Sequence, residues 1–447
     1  MAIVCQHGGT LPFAPDPRTA ELARLRIETQ MYDAVIDEQR GREIRVRDHW
    51  LVDYASCNYL GFDLEPQIMA AIDEQIRRWG THPGWSRLLG SPRLYPDIEE
   101  RLTALLGAPD TLVLPTITHI HLSVIPVLAG RGTVFVESQA HRTIYDGAVH
   151  ARALGATLVR FRADQPERLA ELLRAAPTHA PRLVCLDGLG SMTGNVPNLP
   201  ALARVCREYG AMLYVDDAHG FGVLGERRPD ESSPYGARGN SVIRHVGEDY
   251  ENLVLVGGFS KAYSSLLAFI ALPTQVKNHL KVAAAPYLYS GPSPVASLAG
   301  VLAGFDVNDT SGEARRATLH QLSVRVLSRI RGLGVLTPNV QGSPIIEVPL
   351  APGADLVPVA RTLWDRGVYV TLAAYPLVPR DQVGFRIQLT AAHTETQIEH
   401  LNDVLSELAG QGVLSRTGAT PLRQSHPPAC GAPKLPPVNR SVPDDVR

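Results

Sequence analysis

The sequence is poor in cysteine and has no long apolar run, and each shortage removes a class of function. Its five cysteines, Cys5, Cys57, Cys185, Cys206 and Cys430, are an odd number, lie far apart in 447 residues and form no C-x-x-C pair. No disulfide framework and no metal site are expected, and a reducing compartment fits. Apolar stretches such as Leu266 to Leu272 fall well short of the roughly 20 residues that cross a bilayer. The N-terminal MAIVCQHGGTLPFAP lacks the charged and apolar regions of a signal peptide, so a cytoplasmic location and no membrane partner are expected. Neither sign of charge is in excess: 43 Lys and Arg against 45 Asp and Glu leave a formal net charge of −2, too little field to draw nucleic acid.

What is present is a globular composition, 45% apolar and 20% charged, enough to bury a sizeable core. From about residue 94 to 300, helix-like segments alternate with the short apolar runs TLVLP, GTVFVES, TLVRF, RLVCLDG, AMLYVDD and NLVLVGG. That alternation predicts an α/β fold, a mainly parallel sheet flanked by helices. Helical patterns are also read at 19–40, 64–79, 315–333 and from Thr394 to Leu408, with further apolar runs SPIIEVPL, VYVTLA and FRIQLT. The expected organisation is an N-terminal helical arm over 1–55, a large domain over 56–298 and a smaller C-terminal α+β domain over 299–412. The tail over 413–447, with Pro421, Pro427, Pro428, Pro433, Pro436, Pro437 and Pro443, is expected to be disordered.

In an open α/β sheet, ligands sit beyond the carboxyl ends of the strands. Three polar clusters stand there: Gly188, Ser191, Met192 and Gly194 after VCLD; Asp216, Asp217, Ala218, His219 and Gly222 after LYV; Gly257, Gly258, Ser260 and Lys261 after LVLV. Each is read as one strand-helix unit from the next, so all three can converge on one crevice. Pyridoxal 5'-phosphate (PLP) needs a carboxylate on its pyridine nitrogen and an amine for its Schiff base, and Asp216 and Lys261 suit those roles. A lone lysine after a strand is usually a solvated loop residue, and Asp-Ala-His alone is often a turn or cap. The ordered combination on a βα background is what points to the cofactor.

These residues resemble the α-oxoamine synthases, a fold-type I PLP family. The anchors are SCNYLGF (56–62), SRLLGS (86–91), HRTIYDGA (141–148), GLGSMTGNVPNL (188–199), VDDAHGFGVLG (215–225), GGFSKAYS (257–264) and RIQLTAAHT (386–394). The resemblance implies a homodimer with the active site at its interface, and a decarboxylative condensation of an amino acid with an acyl thioester. It implies that Lys261 holds PLP and is the base, Asp216 pairs with the pyridine nitrogen, and His219 with Ser191 binds the phenolic oxygen. His141 would stack on the ring and assist catalysis, and Arg386 would bind the amino-acid carboxylate, with a surface ion pair as the other reading. Asn58 either lines the substrate site or belongs to a structural turn.

Departures from the family pattern gather around the phosphate and the acyl donor. The usual Ser-Gly-Tyr/Phe turn is Thr116, Ile117 and Thr118, the usual Ala-Asn is Ile120 and His121, and the threonine three before the lysine is Gly258. Phosphate binding would then lean on backbone N–H groups with Thr118, Ser260, or Ser290 of YSGPSP, a segment that crosses the dimer interface in the family. His82 and Trp85 replace two glycines, the indole being expected to fill or reshape the pocket; Tyr95 replaces a histidine, and Leu267 and Ala268 a glycine pair. An unusual amino acid or acyl donor, such as a carrier-protein thioester, is the expectation. Another PLP reaction (transamination, racemisation, retro-aldol cleavage, decarboxylation) and an inactive partner subunit stay open as alternatives.

Overall fold

A computed structural model of the chain describes residues 16–417 apart from 230 and 232, so Cys5, Cys430 and nearly all of the proline-rich tail lie outside the described residues. Near the N-terminus, the helix expected over 19–40 runs only from Ala20 to Glu28. Residues that the helical arm was expected to contain form strands instead: β1 (Glu38–Arg40), β2 (Glu43–Val46) and β3 (His49–Asp53), a meander pairing antiparallel. Gly41 at φ +59° makes the β1–β2 turn that the helix could not follow, and charged β1 and β2 carry little apolar alternation to announce themselves.

The central sheet comprises β4 (Thr111–Leu114), β5 (Thr133–Glu137), β6 (Thr157–Phe161), β7 (Arg182–Asp187), β8 (Met212–Asp216), β9 (Leu253–Gly258) and β10 (Ala268–Ala271). Its order is β4-β10-β9-β8-β7-β5-β6, with β10 antiparallel to both neighbours. The apolar runs are continuous because both faces are covered. Along β7, Leu183 and Cys185 enter one core while Val184 and Leu186 enter the other. Beyond it, β11 (Ile345–Pro349), β13 (Thr371–Ala373) and β14 (Gly384–Gln388) form a small antiparallel sheet, and β12 (Val368–Tyr369) pairs parallel with β3.

One helix, Val295–Gly332, is 38 residues long, against the 315–333 expected from pattern. Its opening stretch, VASLAGVLAGF, is apolar on every side because it is buried, which hides the helical period. Residues 413–417, assigned to the tail, return to the body: Leu414 bridges Leu350 and Arg416 bridges Val335. Among the described residues, no helix is long and apolar enough to cross a membrane.

Candidate active site

Strands β7 and β8 are in parallel register and end together on Asp187 and Asp216. Lys261 comes next along the sheet, but not at the start of a helix as the strand-helix reading expected. It sits in the loop of the β9–β10 hairpin, because the Leu266–Leu272 run turns back to fill the sheet between β9 and β4. An aromatic cluster clamps that loop: Phe259 packs edge-on against Phe221, Tyr263 stacks on Phe221 at 5.3 Å, and Phe269 lies 4.8 Å from Phe221. The backbone closes on itself through Ser264 N–H to Lys261 C=O (3.0 Å) and Ser265 N–H to Phe259 C=O (3.0 Å).

These strand ends surround a cavity of about 320 Å³, lined by Lys261, Asp216, His219, His141, Ser191, Ser260 and Thr118, together with Asp187, Thr143 and the apolar Ile117, Leu266 and Leu267. The volume is in the range of small-ligand sites. Seven residues expected from the sequence therefore meet in one place. Burial lowers the pKa of Lys261 from its ordinary value, opposed by Asp216, Cys57 and Asp187, which favours the neutral amine. Burial pushes Asp187 well above the usual carboxylate range, helped by Asp216 beside it and opposed by the His141 N–H it accepts at 3.0 Å. Asp216 Oδ1 accepts the Ala218 N–H at 2.9 Å. His219 is buried, which holds it well below its ordinary pKa, and its Nδ1 meets the Tyr59 hydroxyl at 2.7 Å.

Three expected residues lie elsewhere. Arg386, on β14, is outside the cavity lining, but its Nη1 donates to the Ser191 carbonyl at 2.6 Å, which ties it to the rim. Asn58 also lies off the cavity; its carbonyl accepts the Gly61 N–H (2.9 Å), with Gly61 at φ +68°, the structural turn that was the other reading. Its neighbour Cys57 is the residue on that turn that acts electrostatically on Lys261, and its thiol donates to Gln388 Oε1 at 2.7 Å. Ser290 bonds its neighbour's carbonyl, Gly291, at 3.0 Å and does not reach the cavity of its own chain. Trp85, expected in the pocket, is 53% exposed, and neither it nor His82 lines the cavity. The backbone there runs over the surface, so a bulky side chain meets solvent within the chain.

The phosphate end explains two of the sequence departures as one. Helix Ile117–Ala129 opens on Thr116, whose hydroxyl accepts the His119 N–H at 3.2 Å, and its first turn faces the cavity with unspent N–H groups. A Cβ on Gly258 would come within 2.6 Å of Ile117 Cδ1. The isoleucine side chain occupies the space that a side chain at 258 would need, so Ile117 in this position favours a glycine there. Gly258→Thr is expected to lower stability by about 1–3 kcal/mol through overpacking, and adding Ile117→Ala should restore most of it in a thermal-melt double-mutant cycle. Equal losses in the presence and absence of Ile117 would refute the pairing.

The sequence reading passed over several groups. Asp187 closes RLVCLD and was discoverable by the same strand-end rule that found Asp216. Thr143, Tyr59 and Gln388 lie inside family anchors and His121 at a named departure, but no role was assigned to any of them. Glu347 faces Arg386 across β11 and β14; burial pushes it up to about 7, with Arg386 opposing, and its Oε1 has no protein partner.

The donor set fits PLP: an amine, a carboxylate, an imidazole, and a helix N-terminus with hydroxyls line one cavity. Comparison with known proteins agrees. The family described as aminotransferase class I and II matches residues 51–405. The chain is 30% identical over 398 residues to the 8-amino-7-oxononanoate synthase of Methylobacillus flagellatus, covering 88% of this chain and 96% of that one. The solved serine palmitoyltransferase of Sphingomonas wittichii superposes with a TM-score of 0.78 at 27% identity, covering 89% of this chain and 97% of that one. A solved structure of SPT with PLP superposes at 0.79 with 26% identity and the same coverage of 89% and 97%.

Proposed function

Because the chain belongs to the aminotransferase class I and II family and is a homologue of the α-oxoamine synthases, PLP-dependent acyltransferases, we propose that it condenses an amino acid with an acyl thioester. The products would be an α-aminoketone, carbon dioxide and the free thiol. The observation that carries the reading is the meeting of Lys261, Asp216 and His219 in one cavity with Arg386 tied to its rim through Ser191. When bound, PLP supplies an electron sink for negative charge developing at the substrate Cα.

The protein's own groups divide the remaining work. Lys261 would hold the cofactor and, once free, would serve as the base for the Cα proton, a role that its burial-lowered pKa favours. Asp216 would sit against the pyridine nitrogen and keep it protonated. If the Tyr59 hydroxyl donates to His219 Nδ1, the neutral ring presents its Nε2–H to the phenolic oxygen, with Ser191 beside it. Thr118, Ser260 and the first turn of helix Ile117–Ala129 would take the phosphate, and Ser290 of a second subunit in a homodimer could add to it. His141, exposed at the mouth, would cover the cofactor ring and assist at the reacting centre.

Arg386 presents a planar fork that lysine cannot copy. Arg386→Lys is expected to raise KM for the amino acid by about 10–100-fold, the loss of roughly one charge-assisted hydrogen bond, with a smaller change in kcat. Steady-state kinetics at saturating thioester check this; an unchanged KM would remove Arg386 from the substrate site. The reaction itself is tested with carboxyl-labelled amino acids. Labelled carbon dioxide released only when an acyl thioester is present supports condensation. Release without thioester would mean simple decarboxylation, and a labelled keto acid would mean transamination. Efficient turnover of glycine or alanine with a common acyl-CoA would discard the unusual-substrate, carrier-protein version.

A further inference from the structure

Four side chains form a continuous polar chain behind the cavity wall. Asp216 Oδ2 lies 3.5 Å from His121 Nε2; His121 Nδ1 lies 2.8 Å from Thr143 Oγ1; the same Oγ1 lies 2.8 Å from His141 Nδ1. Asp216 and His141 line the cavity, and His121 is wholly buried behind them. His121 stands where the family pattern has asparagine, and nothing in the condensation reading uses it or Thr143.

We propose that this chain is a directional relay in which the Asp216 carboxylate fixes the tautomer of His141 through His121 and Thr143, leaving His141 Nε2 as an open acceptor. The direction follows from counting hydrogens. Burial lowers the pKa of His121 to about 4, with Asp216 opposing, so the ring is neutral and carries one N–H. Nε2 makes no hydrogen bond within the protein, and the charged group beside it is the Asp216 carboxylate, whose Oδ2 lies 3.5 Å away and can accept but not donate. A lone pair aimed at that carboxylate inside the protein would be repulsive, so the hydrogen sits on Nε2, in a long contact at 3.5 Å. Nδ1 of His121 is then an acceptor and takes the single hydrogen of the Thr143 hydroxyl. Thr143 Oγ1, having given its hydrogen, can only accept from His141, which therefore bears its hydrogen on Nδ1.

One contact competes. The Thr143 backbone N–H points at His141 Nδ1 from 3.4 Å, as a helix cap would. It is longer than the 2.8 Å hydroxyl contact by 0.6 Å, and an N–H in a helix's first turn needs no helical partner. The hydroxyl contact therefore decides the tautomer. His121 lies behind the cavity lining and Thr143 on it; both act on catalysis as positioning residues, setting which nitrogen of His141 can accept a hydrogen bond or proton at the reacting centre. The consequence for catalysis rests on the cofactor reading, whereas the tautomers themselves do not.

Nitrogen-15 NMR of the full-length, PLP-loaded protein with labelled histidine reports which ring nitrogen carries hydrogen, whatever reaction is catalysed. The expected result at neutral pH is Nε2–H on His121 and Nδ1–H on His141. Asp216→Asn should reverse both, because the Ala218 N–H pins the amide oxygen at the Oδ1 position and turns the NH2 group toward His121. Thr143→Val should release His141 to Nε2–H while His121 keeps its own pattern. Nε2–H on His141 in the unaltered protein overturns the proposal without any variant having to fold. Tautomers that survive Asp216→Asn unchanged also overturn it. A correct tautomer pattern in a protein that fails to condense thioesters would leave the relay standing and discard only the reaction.

Discussion

Lys261→Ala is expected to abolish turnover, lowering kcat/KM by about 10⁴-fold or more, because one change removes both the covalent anchor and the base. Among the cavity-lining residues only Lys261 carries an amine, so His141, with its open Nε2, can accept a proton but cannot replace the covalent anchor. His121 is buried behind the cavity wall, and His219 is held neutral by its surroundings and committed through Nδ1 to Tyr59. The measurement is an absorbance spectrum of the PLP-loaded protein alongside the assay: the visible band of lysine-bound cofactor should be present in the unaltered protein and missing in the variant. The Lys261 loop is held by Phe221, Phe259, Tyr263 and Phe269 rather than by the lysine itself, so the variant should melt close to the unaltered protein. Residual activity within about tenfold would place the base elsewhere and remove the centre of the proposed mechanism.

Asp216→Asn is expected to cost on the order of 10²–10³-fold in kcat, the scale of losing a preorganised charge at a reacting centre. It should do so while the lysine-bound band survives. The effect on stability should be small and of the opposite sign to a damaged fold. Asp187 and Asp216 end neighbouring strands in register, and Asp216 helps drive Asp187 well above its ordinary pKa. Neutralising one member relieves the other, so the melting temperature should hold or rise, and Asp187 should ionise more readily. A large fall in melting temperature would mean that Asp216 is chiefly structural. An unchanged kcat would mean that no charge at this position is needed for the chemistry.

The sheet was legible because parallel strands covered on both faces are written as uninterrupted apolar runs, from TLVL at β4 to LVLVGG at β9. Lys261, Asp216 and His219 were legible for a related reason: a strand end is a place in the sequence as well as in space. Segments whose burial is not periodic were harder to read. The opening stretch of helix Val295–Gly332, over 295–305, is largely buried, β1 and β2 are charged, and β10 looks like a bare apolar run until its neighbours claim it.

What the sequence determined by itself is the layered α/β core and the three strand ends that carry the polar groups, since both follow from local order along the chain. Tertiary structure alone decided that Cys57 rather than Asn58 faces Lys261 and that Trp85 stays outside the cavity. It also decided that Ile117 and Gly258 share one space and that His121 and Thr143 join Asp216 to His141. Several of these contacts join residues distant in the chain, His121 with Thr143 across 22 positions and Ile117 with Gly258 across 141. They depend on how far one side chain reaches past a sheet or helix laid down elsewhere, and a linear pattern carries no record of that distance.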